Sequence, residues 1–111
     1  MKIKKSNVRL FANISERTFS DTKKYRELKV RKSGGYWIFT EVDAYTGACF
    51  SEIILGISSK YLLNEFLIVR KNSTIKTLKT TKTLGEALTF ITDTVFQKRY
   101  YITIEDLATL G

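Results

Sequence analysis

Residues 36–57, YWIFTEVDAYTGACFSEIILGI, contain no Lys or Arg in a chain that has 19 of them. The stretch divides at Asp43-Ala44-Tyr45-Thr46-Gly47, a run of turn-forming residues with apolar and β-branched residues on both sides. That pattern is a β-hairpin, so the most apolar part of the chain is two adjacent strands. Ile53-Ile54-Leu55 in succession marks the second strand as covered on both faces, hence central.

Upstream, residues 25–32 read as another strand, and Ser33-Gly34-Gly35 is a tight-turn signal leading into the apolar stretch. Adjacent glycines supply the positive φ angles of a two-residue hairpin turn. That turn sets Val30 against Phe39, Lys32 against Trp37, Arg31 against Ile38 and Lys29 against Thr40. One face then carries Leu28, Val30, Trp37 and Phe39 as core, and the other carries Lys29 and Arg31 beside Tyr36 and Ile38. A three-residue loop would swap the faces. Residues 7–14 alternate and read as a first strand, residues 15–23 are polar and read as a loop, and residues 1–5 are expected to be a loose basic tip.

Downstream, residues 58–64 stay open between a short helix, capped by Ser58 or Ser59, and strand. Phe66-Leu67-Ile68-Val69 reads as strand, residues 71–74 as a turn, and residues 75–80 as a return strand carrying Lys76 and Lys79. Thr83-Leu84-Gly85-Glu86 has capping-box spacing, and Leu84, Leu88, Ile91 and Val95 form one helical stripe. The helix expected over residues 84–98 ends at Lys98 and Arg99, where positive charge suits its dipole. Residues 100–104 read as a last strand and residues 105–110 as a closing helical turn. The expected fold class is α+β: an antiparallel meander of six or seven strands with one main helix on a face.

A chain of 111 residues is one expected domain, residues 1–111. It should bury roughly 60–70% of the surface exposed when unfolded. The one cysteine, Cys49, excludes an internal disulfide, fits a reducing compartment and is expected to be a small buried hydrophobe. Residues 1–15 lack the continuous apolar run of a secretory signal, and no apolar run approaches the roughly 20 residues of a membrane span. The expected location is cytoplasmic.

Net charge is +8, unevenly distributed: +8 over residues 1–35, −3 over 36–59, +5 over 60–82 and −2 over 83–111. Two basic segments that meet form a patch attractive to polyanions, whereas lysines scattered along a β-rich chain only keep it soluble and guard its edges.

Enzymatic signals are weak. No histidine is present, one cysteine cannot build a zinc site, and no glycine-rich phosphate loop occurs. Glu27 and Lys29 supply the Glu-x-Lys fragment of metal-dependent nucleases, but its Asp partner should lie on a separate preceding strand, and Asp21 falls in the expected loop. No catalytic residue, metal site or cofactor is therefore expected. Cations beside aromatics suit nucleic acid, since they neutralise phosphates while flat rings stack on bases. The expected contact residues are Lys23, Lys24, Lys29, Arg31, Lys32 and Tyr36 on the first basic segment, and Arg70, Lys71, Lys76, Lys79 and Lys82 on the second. The long helix has no Lys or Arg before its last residues and carries Glu86 and Asp93, so it reads as a strut rather than a groove-reading helix. The expectation is a non-enzymatic nucleic-acid-binding protein using strands and turns on single-stranded DNA or RNA, or on nucleic-acid shape. The alternative is an adaptor or inhibitor of a protein that handles nucleic acid, such as a phage or mobile-element accessory protein. It would bind through its basic surface or an exposed sheet edge, which could also pair with a second copy.

Overall fold

The computed structural model describes residues 14–60, 63–71 and 74–111, and the side chains of all of these except 58–60 and 63–64. Six strands form one antiparallel sheet in chain order: β1 (Glu16–Asp21), β2 (Arg26–Ser33), β3 (Tyr36–Asp43), β4 (Cys49–Lys60), β5 (Leu63–Lys71) and β6 (Ile75–Thr81). The expected tip, and all of the expected 7–14 strand except Ile14, lie outside the described residues. Ile14 itself makes an isolated parallel bridge to Leu110.

The glycine turn sets the register as its length requires. Val30 opposes Phe39, Arg31 opposes Ile38, Lys32 opposes Trp37 and Lys29 opposes Thr40. Leu28, Val30, Trp37 and Phe39 are buried on one face, where Ile53, Leu55 and Ile68 extend the same layer. At about 1.5–3 kcal/mol for each fully buried apolar side chain, this layer is a main source of stability.

Two bulges redirect side chains. Glu41 opposes Ser51 while Val42 opposes Cys49, so Phe50 is the extra residue. Ile68 opposes Lys79 while Val69 opposes Thr77, which makes Leu78 extra and lets it pack against the core. A bulge re-aims side chains in this way.

Helix α1 (Leu84–Thr89) runs directly into a π-helical segment, Phe90–Val95, so the described helix is shorter than the expected 84–98. Thr83 caps it, its hydroxyl accepting from the Glu86 N–H at 3.1 Å and donating to the Glu86 carboxylate at 3.0 Å. Ala87, Leu88 and Ile91 bury against the sheet. Gln97 and Lys98 then adopt positive φ, 52° and 61°, which ends the helix and reverses the chain. A second short helix, α2 (Ile104–Ala108), is closed by a Thr103–Asp106 capping box, and the indole Nε1 of Trp37 donates to the Leu107 carbonyl at 3.1 Å.

Three expectations are corrected and one open alternative is decided. Residues 15–23 are not all loop: residues 16–21 form edge strand β1, which needs only Phe19 to pack on the core while Arg17 and Asp21 are ion-paired. Residues 100–104 are not a strand. Tyr100 and Ile102 are buried and Tyr101 exposed, so the period of two is real, but no ladder forms. Cys49 is exposed because it opens β4 at the margin of the sheet beside the Asp43 turn. Residues 58–60 and 63–64 belong to strands β4 and β5, not to a helix.

Candidate nucleic-acid interface

In a meander, alternate turns share one end of the sheet. The β1–β2 turn and the β3–β4 turn therefore lie together with the end of β5, opposite the glycine turn. The Ala44 N–H donates to the Tyr25 carbonyl at 2.9 Å and ties the two turns.

Beneath them lies a charge cluster. Glu41, 3% exposed, faces the helix side of β3 because that strand alternates with Trp37 and Phe39. Arg99 Nη2 donates to Glu41 Oε2 at 2.6 Å and the Tyr100 hydroxyl donates to the same oxygen at 2.7 Å. Arg26 Nη1 stands 3.7 Å from Glu41 Oε1, and Arg99 Nε stands 3.7 Å from Asp21 Oδ2. Burial, reinforced by the Glu41 bond, pushes the Tyr100 phenol well above its usual range. For Arg99, burial opposes the charge, but the bond to Glu41 outweighs it and holds the guanidinium protonated. Charges spent inward in this way fasten the segment after the helix to β3.

The outer surface of the same end is built from turns. Asp43 Oδ1 accepts from the N–H groups of Tyr45 at 2.8 Å and Thr46 at 2.9 Å, an Asx turn that holds the tip. The Thr46 and Tyr45 backbone bonds keep the Asp43 carboxyl below its ordinary value. The rings of Tyr25 and Tyr45 lie 5.5 Å apart, tilted by 46°, and are 60% and 80% exposed. The Phe50 ring, 49% exposed, carries the Arg26 guanidinium 4.4 Å above its centre. Three depressions surround these rings. One of about 410 Å³ is lined by Tyr25, Arg26 and Tyr45, one of about 400 Å³ by Lys23, Lys24, Lys98 and Arg99, and one of about 350 Å³ by Arg26, Phe50, Ser51, Arg70 and Lys71.

The expected contact residues do not form one continuous surface. Lys23, Lys24, Arg70 and Lys71 line depressions at the turn end. Lys29, Arg31 and Tyr36 share the face of β2 and β3 away from the helix, an open face on which Ile38 and Val42 are nonetheless buried. Lys32 lies toward the glycine turn, its ammonium 4.8 Å from the centre of the Trp37 ring. Lys76 and Lys79 alternate with the open-face residues of β6 and so face the helix side, where Lys79 reaches to 5.6 Å from the Phe90 ring. Lys82 is exposed just before α1. β2 and β6 are separated by three strands, so at about 4.8 Å per spacing their backbones stand roughly 19 Å apart. Two basic ribbons on opposite margins, with cations on both faces, cannot merge. Yet none of these cations is ion-paired among the described residues, where the ion pairs are those of Arg17, Arg26 and Arg99 with Asp106, Glu41 and Asp21.

The expected contact residues leave out Arg26, Phe50 and Lys98. The available signal was topological: with residues 16–21 as a strand, turns 22–25 and 44–48 must lie at the same end. Asp21 faces the helix side, whereas Glu27 and Lys29 lie on the open face, so the nuclease-like fragment is not assembled on one surface. Among the described residues no three His, Cys, Asp or Glu side chains gather where they could hold a metal ion, and no helix is long and apolar enough to cross a membrane. Comparison of the chain with protein-family models, curated proteins and solved structures yields no match.

Proposed function

We propose that this chain is a small, non-enzymatic, cytoplasmic protein that binds single-stranded nucleic acid, DNA or RNA, through the turn end of its sheet. The observation that carries the proposal is the meeting of exposed rings (Tyr25, Tyr45, Phe50) with cations that have no carboxylate partner among the described residues (Lys23, Lys24, Arg70, Lys71, Lys98) at one end. The cations neutralise phosphates, and the rings offer π-faces to bases that a duplex would keep stacked on one another. The helix supports the same choice. It is applied to the sheet by Ala87, Leu88 and Ile91 and carries Glu86 and Asp93 outside, which repel a phosphate backbone.

The test is a salt titration with a labelled single-stranded oligonucleotide. Log K should fall against log[salt] with a slope of about −0.7 for each phosphate neutralised. Absence of binding at low salt overturns the proposal.

A protein partner is the second reading, favoured by Ile75, 75% exposed on the outermost strand β6. Strand addition there would bury it. Affinity capture of one stoichiometric partner that survives nuclease treatment would favour this reading, and loss of every partner to nuclease would refute it.

A further inference from the structure

We infer that the cavity between the ends of β2, β4 and β5 is a phosphate subsite, with the anion held by Arg26 and Arg70 and hydrogen-bonded by Ser51. The inference rests on the polyanion reading above and names where that polymer's phosphate is gripped.

Four observations converge on it. The Nε of Arg70 is buried and has no hydrogen-bond partner among the described residues, and Arg70 lines the cavity. A buried guanidinium N–H is a strong donor that folded proteins rarely leave unmatched. Arg26, on the same wall, is held by the Phe50 ring at 4.4 Å and approaches Glu41 no closer than 3.7 Å. This ion pair with Glu41 is long and carries no hydrogen bond among the described residues, so the positioned fork keeps N–H groups that can donate to an anion.

Glu41 cannot neutralise both arginines, because one of its oxygens already accepts from Arg99 and Tyr100. Glu41 also lines the cavity, but against it stand Arg26, Arg70 and Lys71, so the wall keeps a positive surplus. Finally, Ser51 adds a hydroxyl, so donors arrive from β2, β4 and β5. A tetrahedral oxyanion offers oxygens in several directions to match such a set, whereas a planar carboxylate matches a single fork. The exposed Phe50 ring at the rim gives the attached sugar or base a surface to lie on.

A terminal phosphate monoester and an internal diester present the same chemistry here. The experiment separates them with a thymidine oligonucleotide of about 12 nucleotides, labelled at its 3′ end and carrying either a 5′-phosphate or a 5′-hydroxyl. Full-length protein and the variants Arg70→Gln, Arg70→Lys and Ser51→Glu are titrated with both probes across salt concentrations, with inorganic phosphate as competitor. Arg70→Gln should weaken binding about tenfold and flatten the salt slope by about 0.7, the loss of one phosphate contact. Arg70→Lys restores the slope, because charge is kept, but only part of the affinity, because the fork is lost.

Ser51→Glu places a carboxylate against the two arginines. It should abolish phosphate competition. Because Ser51 stands directly opposite Glu41, the added carboxylate also costs some stability. A cooperative thermal transition well above the titration temperature is therefore required of this variant and of the Arg70 variants, which guards against misreading an unfolded protein. A preference for the 5′-phosphate probe that disappears in Ser51→Glu assigns the subsite to a chain end, and equal binding of both probes assigns it to an internal diester. If the protein binds oligonucleotide and both Arg70→Gln and Ser51→Glu bind it like the parent, the subsite is refuted and the broader proposal stands. If inorganic phosphate binds, and Ser51→Glu abolishes that binding, but no oligonucleotide does, the nucleic-acid reading falls and a small-anion site remains. Binding of neither removes both.

Discussion

Arg99 and Arg70 stand at the same end of one sheet, and only one of them is neutralised. Both keep a buried Nε without a hydrogen bond among the described residues. Arg99, however, places its terminal nitrogen 2.6 Å from Glu41 and its Nε 3.7 Å from Asp21, while Arg70 has no carboxylate partner among the described residues. The contrast separates cations that hold the fold together from cations still available to a ligand, a distinction that net charge alone conceals.

The largest test of that contrast is Glu41→Ala. It strands Arg99 and the Tyr100 hydroxyl in the interior and should cost about 3–5 kcal/mol in denaturant unfolding. Arg70→Gln should cost less than about 1 kcal/mol in the same measurement. Equal losses would erase the distinction.

Next in size is Tyr100→Phe, which removes a hydrogen bond to a charged group and should cost about 1.5–3 kcal/mol at neutral pH. Because burial and the Glu41 bond raise the phenol's pKa in the folded state, the folded protein keeps this proton where the unfolded chain releases it. This contribution is complete below about pH 10, the unfolded value, and declines as pH rises beyond it. Melting curves between neutral and strongly alkaline pH should therefore fall more steeply for the parent than for the Phe variant. Parallel curves would contradict the assignment.

On the ligand side, Tyr25→Ala should weaken oligonucleotide binding by about 1–3 kcal/mol with little change in stability. Tyr36→Ala, on the open face, should leave binding unchanged. A reversed result would move the interface to that face.

The smallest effect belongs to Asp43→Ala, which releases the Asx turn beneath Tyr45 and should slightly weaken binding. The Thr46 and Tyr45 backbone bonds lower this carboxyl's folded pKa, so its contribution is present above the unfolded value near pH 4 and is lost as pH falls through the folded one. Near-ultraviolet circular dichroism of the tyrosine pair, followed into acid, should register that change in the parent but not in the variant.

The central hairpin was legible because two local facts determine it, the Gly34-Gly35 turn and the alternation of Leu28, Val30, Trp37 and Phe39. The helical stripe was legible for the same reason: Leu88 and Ile91 are buried and Leu84 and Val95 half-buried. Strand β1 was hidden because an edge strand needs few apolar residues, and Glu16-Arg17-Thr18-Phe19-Ser20-Asp21 resembles a loop in composition. The site was less legible still. Glu41 meets Arg99 across 58 residues of chain, and neither the separation of β2 from β6 nor the meeting of two turns leaves a mark in local pattern.

The bond from the Trp37 indole to the Leu107 carbonyl gives the molecule an intrinsic optical probe. Trp37 is the chain's one tryptophan, and Asp43 at the turn end lies six positions further along β3, about 20 Å along the strand. Its fluorescence thus reports whether helix α2 is seated, from a ring that is buried and distant from the proposed site. Emission that shifts on adding oligonucleotide would mean that occupancy at one end of the sheet loosens the chain terminus at the other.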